Sequence, residues 1–279
     1  MWKRRVVKFF DSRKLRGDQF STIIKRQLAH QTKRASGTEV KIFDKDYVRP
    51  GVTPMPMRQM QSTSHPRLKI CCIQNREEAR LAIEAGASAI GLVSAMPSGP
   101  GPIDDQTIAD LSRFVPPPIA TFLLTSRQTV EGIVEQHQRV RTTAIQIVDT
   151  LTGGTYADLR NALPGVKLVQ VIHVTGPESL DEALAVADSV DALLLDSGNP
   201  KLPIKELGGT GRKHDWSVSR AIREAAAVPL FLAGGLRPEN VREAIDAVGP
   251  FGIDVCSGVR TEGRLDREKL DAFVREMNL

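Results

Sequence analysis

From residue 68 to the C-terminus this chain repeats one pattern eight times: a short run rich in β-branched and aliphatic residues, a turn, then a segment whose apolar residues have helical spacing. The strand candidates lie at 68–73, 89–93, 120–124, 144–148, 167–172, 192–195, 228–232 and 252–255. Helical spacing fills the gaps, as in 77–85, where alanine and leucine recur at i, i+3 and i+4, and in 179–187. Asp266, ahead of a charged amphipathic segment that ends at Met277, predicts an N-capped closing helix. Eight strand–helix units in about 213 residues predict an α/β fold, a (β/α)8 or TIM barrel at the small end of its size range. The competing arrangement is an open, doubly wound sheet. Against it, no GxGxxG turn follows the first strand, and the glycine-rich turns cluster behind the last strands instead.

Those turns are the second informative feature. The run ending at Asp196 leads to Gly208-Gly209-Thr210-Gly211, the next ends in Ala233-Gly234-Gly235, and the last ends in Cys256-Ser257-Gly258. A backbone without Cβ bends sharply and brings bare N–H groups up to phosphate oxygens, and barrels keep their phosphate site behind these strands. Gly209, Gly211, Gly234, Gly235, Ser257 and Gly258 are therefore the candidate phosphate-binding residues. The active site of a barrel lies at the C-terminal strand ends, which here are occupied by Cys71 or Cys72, Val148 and Asp149, His173, and Asp196. Neighbouring strand residues face opposite ways, so at most one of Cys71 and Cys72 is expected to point fully into the mouth, and the residues alone leave that choice even.

Charge divides the chain. Residues 1–66 hold 15 Lys and Arg against 5 Asp and Glu, net +10, so from the chain's 38 and 33 the remainder keeps 23 and 28, net −5. The extension shows no sustained periodicity and reads as a basic, disordered tail ahead of a barrel domain at 67–279. Its basic character alone is the mark of a solvated segment, and no nucleic-acid partner is expected. Three cysteines, two of them adjacent, make no secreted disulfide framework, and no stretch has transmembrane length. A cytoplasmic protein with no membrane partner is the expectation, with no metal cluster and no cofactor motif.

Five segments together resemble one family. They are Lys69-Ile70-Cys71, Leu194-Leu195-Asp196, the Gly208-Gly209-Thr210-Gly211 loop running to Asp215-Trp216, Leu232-Ala233-Gly234-Gly235-Leu236 followed by Pro238-Glu239-Asn240-Val241, and Asp254-Val255-Cys256-Ser257-Gly258-Val259. In order and spacing they look like phosphoribosylanthranilate isomerase of tryptophan biosynthesis, over residue 68 to the C-terminus. The resemblance implies an Amadori rearrangement of a phosphoribosyl amine, aldose to ketose, with Cys71 as general base and Asp196 as general acid. It also implies a small-molecule phosphoribosyl substrate and a monomer or homodimer. Two further readings stand beside it: an isomerase for a different phosphoribosyl amine, and a non-catalytic phosphosugar-binding barrel.

The chain departs from the family pattern at four places. Lys-Ile-Cys-Gly becomes Lys69-Ile70-Cys71-Cys72; the Ser-Pro-Arg that supplies an arginine for the anthranilate carboxylate becomes Ser98-Gly99-Pro100; Leu-His-Gly becomes Ile147-Val148-Asp149; and Ser-Ser-Gly-Val-Glu becomes Cys256-Ser257-Gly258-Val259-Arg260. A carboxylate entering a partly dry site wants a bidentate cation. Arg212 and Arg260 are the candidates for that aglycone contact.

Overall fold

The computed structural model describes residues 65–278, so the tail expected over 1–66 lies outside the described residues but for its last two. Eight parallel strands pair in sequence order and close on themselves: β1 (Arg67–Ile70), β2 (Ala89–Val93), β3 (Ala120–Thr125), β4 (Ala144–Ile147), β5 (Lys167–His173), β6 (Ala192–Asp196), β7 (Leu230–Leu232) and β8 (Gly252–Val255). The helices between and after them are α1 (Arg76–Glu84), α2 (Asp105–Phe114), α3 (Val130–Val140), α4 (Tyr156–Ala162), α5 (Ser179–Ala187), α6 (Trp216–Ala225), α7 (Val241–Val248) and α8 (Arg267–Met277). The eightfold repeat is thus a closed (β/α)8 barrel.

Strand alternation sorts the core into two shells. Leu68, Ile70, Ile90, Leu92, Leu123, Ile145 and Ile253 face outward and pack with Ala79, Ala82, Ile108, Leu111 and Phe273 of the helices. Ala89, Phe122, Leu124, Ala144, Val169, Ala192, Leu194 and Phe231 fill the barrel interior. Small residues there make room for large ones: the Phe122 and Phe231 rings meet edge to face at 6.0 Å, and a Cβ on Gly252 would lie 2.5 Å from the Phe231 ring. Helix starts are fixed by side-chain caps at Asn75, Asp104, Thr129, Thr155 and Asp215, and Asp266 caps α8 as its position predicted, accepting from the Lys269 N–H. Each such cap is worth about 1 kcal/mol.

Two strand ends differ from expectation by two or more residues, each for a backbone reason, and the others agree within one residue. The first strand stops at Ile70 rather than running to 73, because Cys72 takes a left-handed φ of 61° and turns the chain out of the sheet. The seventh begins at Leu230 rather than 228, just after Pro229, which has no N–H to give the ladder. A two-strand hairpin, β9 (Arg260–Thr261) with β10 (Arg264–Leu265), was not expected from the pattern; Glu262 and Gly263, both at positive φ, form its turn.

The sheet closes where β1 meets β8, in a register that sets Lys69 opposite Asp254. Both side chains point into the barrel, fully buried or nearly so, and their charges meet at 2.8 Å. Burial works against the Lys69 charge, but Asp254 and then Cys71 outweigh it, so its pKa lies above the ordinary lysine value. Asp254 is pushed above the usual carboxylate range by burial, with Lys69 opposing. Removing one partner strands a buried charge, which costs about 3–5 kcal/mol. Lys69→Met is therefore expected to lower unfolding free energy by that amount in urea titrations, and Lys69→Met with Asp254→Leu to recover a large part of it.

Candidate active site

The strand ends converge on one cleft, lined by Cys71 and Cys72 behind β1, Met96 and Ser98 to Pro100 behind β2, Gln146 of β4 and Val148 just behind it, Asp196 of β6, and all three glycine-rich turns. Cys71 continues the β1 ladder, its N–H donating to the Val255 carbonyl at 2.8 Å, and its side chain shares the inward face with Lys69. Space for the thiol comes from Gly91 on β2: a Cβ there would lie 2.8 Å from the Cys71 Sγ and 3.2 Å from the Lys69 Nζ. Cys72 lines the cleft as well, which corrects the expectation that only one of the two faces it. Alternation holds for extended backbone, and the left-handed φ at Cys72 turns its side chain back toward the mouth.

Asp196 ends β6 on the far wall, partly exposed. Its Oδ1 accepts from the Ser197 N–H at 2.7 Å, while its Oδ2 faces Gly208, where a Cβ would stand only 2.7 Å away. Behind it lies His214, which shares a hydrogen bond with the Ser219 Oγ at 2.8 Å and whose Nδ1 backs onto Gly234. Burial lowers the His214 pKa below the ordinary histidine value, against the opposing charges of Asp196 and Asp215.

The loop after β6 crosses the mouth and meets the loop after β2. The Ser98 Oγ donates to the Lys205 carbonyl at 2.7 Å, and Gly209 packs so closely on Pro100 that a Cβ would lie 2.4 Å from its ring. Of the candidate phosphate residues, Gly209, Gly211, Gly234, Gly235 and Ser257 line the cleft together. Gly258 does not; it is wedged under the Leu236 carbonyl, 1.9 Å from where a Cβ would sit, and seats the eighth turn on the seventh. Gly235 lies against the Arg212 backbone in the same way.

Neither arginine singled out in the sequence lines the cleft. Arg212 is ion-paired with Glu206. Arg260 is buried, pairs with Glu78 at 2.9 Å, and donates to the carbonyls of Cys72 at 2.6 Å and Cys71 at 3.3 Å. It braces the end of β1 from outside the cleft. Asp149 and His173, also at strand ends, face a neighbouring hollow, where Asp149 pairs with Lys205 at 2.6 Å and the His173 Nε2 bonds the Val148 carbonyl. Among the described residues that line the cleft there is no lysine or arginine.

The model of the N-(5'-phosphoribosyl)anthranilate isomerase family matches residues 68–276. The chain belongs to this family. It is 35% identical over 212 residues to the N-(5'-phosphoribosyl)anthranilate isomerase of Methanothrix thermoacetophila, covering 76% of this chain and 97% of that one, and 36% identical to isomerase 2 of Methanosarcina mazei, covering 75% and 92%. The phosphoribosyl anthranilate isomerase of Thermotoga maritima superposes with a TM-score of 0.63 at 30% identity, over 76% of this chain and 98% of that chain. A phosphoribosyl anthranilate isomerase solved with reduced 1-(o-carboxyphenylamino)-1-deoxyribulose 5-phosphate superposes with a TM-score of 0.61 at 28% identity, with the same coverage. The chain is thus an aldose–ketose isomerase of tryptophan biosynthesis. No helix among the described residues is long and apolar enough to cross a membrane.

Three residues that matter to this isomerase's mouth were not singled out from sequence: Lys69, Asp254 and His214. The first two carried a signal, since each stands two residues before a cysteine of the mouth and so shares its face. His214 carried none beyond its place in the loop. Its lowered pKa has a measurable sign. Above the ordinary histidine value of 6.5 both folded and unfolded chains hold it neutral; below that value the unfolded chain takes a proton that the folded chain refuses, so stability falls with falling pH. The urea midpoint is expected to drop as pH falls below about 6.5, and His214→Gln to flatten that limb.

Proposed function

We propose that Cys71 and Asp196 are the base and acid of an Amadori rearrangement of N-(5'-phosphoribosyl)anthranilate, with the phosphate held by Gly209, Gly211, Gly234, Gly235 and Ser257. The observation that carries this reading is their placement in a single cleft, Cys71 and Asp196 on opposite walls at β1 and β6 and the glycine turns along the rim between β6 and β8. Asp196 protonates the ribose ring oxygen, the C1′–O bond breaks, and the anthranilate nitrogen lone pair closes to an iminium. Cys71 then removes the C2′ proton to give an enaminol, which tautomerises to the ketose amine. Acid and base must reach different atoms of one sugar, which opposite walls allow. Backbone N–H groups of the glycine turns would take the phosphate, with Gly258 supporting them from below.

The Arg212 backbone packs against Gly235 on the phosphate side, while its side chain pairs with Glu206. At the aglycone end the cleft offers the neutral groups of Ser98 and Gln146, beside Met96 and Pro100. A carboxylate there lacks the bidentate partner it prefers. This absence favours a second reading, an isomerase whose phosphoribosyl amine carries an uncharged aglycone.

Cys71→Ala and Asp196→Asn are each expected to reduce kcat by roughly two or more orders of magnitude, the scale of general acid–base catalysis. Product-analogue affinity should change little. The loss of substrate fluorescence measures the first and calorimetry the second; wild-type turnover in either variant would overturn the assignment. Pro100→Arg is expected to lower KM for phosphoribosylanthranilate by supplying the missing cation. A wild type that binds this substrate without converting it would point instead to the second reading.

A further inference from the structure

Two thiols of the mouth stand closer to each other than any function assigned so far requires. The Sγ atoms of Cys72 and Cys256 share a hydrogen bond at 2.7 Å, although 184 residues separate them in the chain. Cys72 follows Cys71 at the end of β1, and Cys256 precedes Ser257 at the end of β8, so the pair bridges the seam of the barrel. Both line the cleft; Cys72 is buried and Cys256 is partly exposed. Cys72 is also held from other sides, its Sγ donating to the Pro100 carbonyl at 3.6 Å and its own carbonyl accepting from Arg260.

We propose that Cys72 and Cys256 are a redox-active pair that closes to a disulfide when the chain meets hydrogen peroxide, and that the crosslink reversibly arrests the isomerase. A disulfide needs its sulfurs at about 2.05 Å, so the pair has well under an ångström to travel. The two thiols divide the work. The hydrogen bond with Cys72, and then the charge of Arg260, hold the Cys256 thiol below its ordinary value in spite of burial. The same contact with Cys256, then Cys71 and burial, push Cys72 well above its own. Cys256, the more exposed of the two, loses its proton and attacks one peroxide oxygen. The O–O bond breaks, giving a sulfenic acid on Cys256 and a hydroxide that leaves as water after taking a proton. Cys72 then loses its proton and attacks the sulfenic sulfur, the S–S bond forms, and the displaced hydroxide leaves as a second water. Two thiols supply two electrons to one peroxide. The resulting bridge ties the residue beside the proposed base to the residue beside the proposed phosphate contact Ser257, and the loss of turnover rests on that reading of the site.

The test treats the full-length chain with hydrogen peroxide, alkylates remaining thiols, and maps a non-reduced digest by mass spectrometry while turnover is followed in parallel. A Cys72–Cys256 linked peptide is expected. Turnover should fall by about a hundredfold, the scale of misplacing a reacting group by an ångström, and dithiothreitol should restore it. Cys256→Ser should form no link and lose far less turnover than the wild type in the same brief treatment, any residual loss matching the oxidised Cys71 peptide, and Cys72→Gly gives the same answer if the serine variant fails to fold. A link to Cys71, over-oxidation with no link, or a fully linked chain of undiminished turnover would each overturn the proposal. The linked peptide is read without substrate, so an untreated chain that converts no substrate counts against the isomerase reading alone.

Discussion

The ion pair of Lys69 and Asp254 is the constraint on which the mouth of this barrel depends. Putting two charges inside an apolar barrel costs several kcal/mol per ion, offset only when they meet at close range. They do so at 2.8 Å across the one seam that joins the first strand to the last. With Lys69 turned inward, period two sends Leu68 and Ile70 out toward the helices and Cys71 back into the interior. With Asp254 turned inward, Ile253 and Val255 go outward and Cys256 comes to the cleft. A slip of one residue by either strand would reverse that strand's faces and turn its charge into the outer apolar shell, away from its partner. The pair therefore fixes register, and register delivers the thiols.

The same pair supplies the electrostatic floor of the site. The Lys69 ammonium lies over the Phe122 ring at 5.3 Å and close beneath the Cys71 thiol, in space kept open by Gly91. The charge of Asp196 acts on Asp254 from two strands away. The Lys69 charge beneath the thiol is balanced by Asp254 at 2.8 Å, and Asp196 adds a second carboxylate to the lining of the cleft.

Much of this was legible in the sequence, because a (β/α)8 barrel is written by local rules repeated eight times. The bounds of β2 (Ala89–Val93), β8 (Gly252–Val255) and α5 (Ser179–Ala187), and the cap at Asp266, follow from periodicity and side-chain chemistry within a few residues. The failures came where the deciding contact is distant. A cysteine at 72 does not itself announce a left-handed φ, so periodicity alone carries the first strand past Ile70. Arg260 looked like a free cation near the mouth, and only the fold reveals Glu78, from a helix at the other end of the barrel sequence, as its partner. The glycine turns were found, but the separate roles of Gly235 in the cleft and Gly258 beneath it depend on carbonyls of neighbouring loops.

Three of the four departures from the family pattern meet at one residue. Cys72 occupies a position whose left-handed backbone favours glycine, at a cost of about 1–2 kcal/mol for a side chain with a Cβ. Around it stand Arg260, which donates to its carbonyl at 2.6 Å, Cys256, which touches its sulfur, and Pro100, whose carbonyl accepts from its thiol. Gly101 completes the fit, since a Cβ there would come within 2.6 Å of the Cys72 Cβ. Arg260 braces the strained backbone at Cys72 through its carbonyl, while Cys256 and the Pro100 carbonyl meet its sulfur. The changes at 72, 100, 256 and 260 thus form one physical unit. Pro100 touches both the Cys72 thiol, through its carbonyl, and Gly209 of the loop after β6, through its ring, so a change at this position reaches both neighbours.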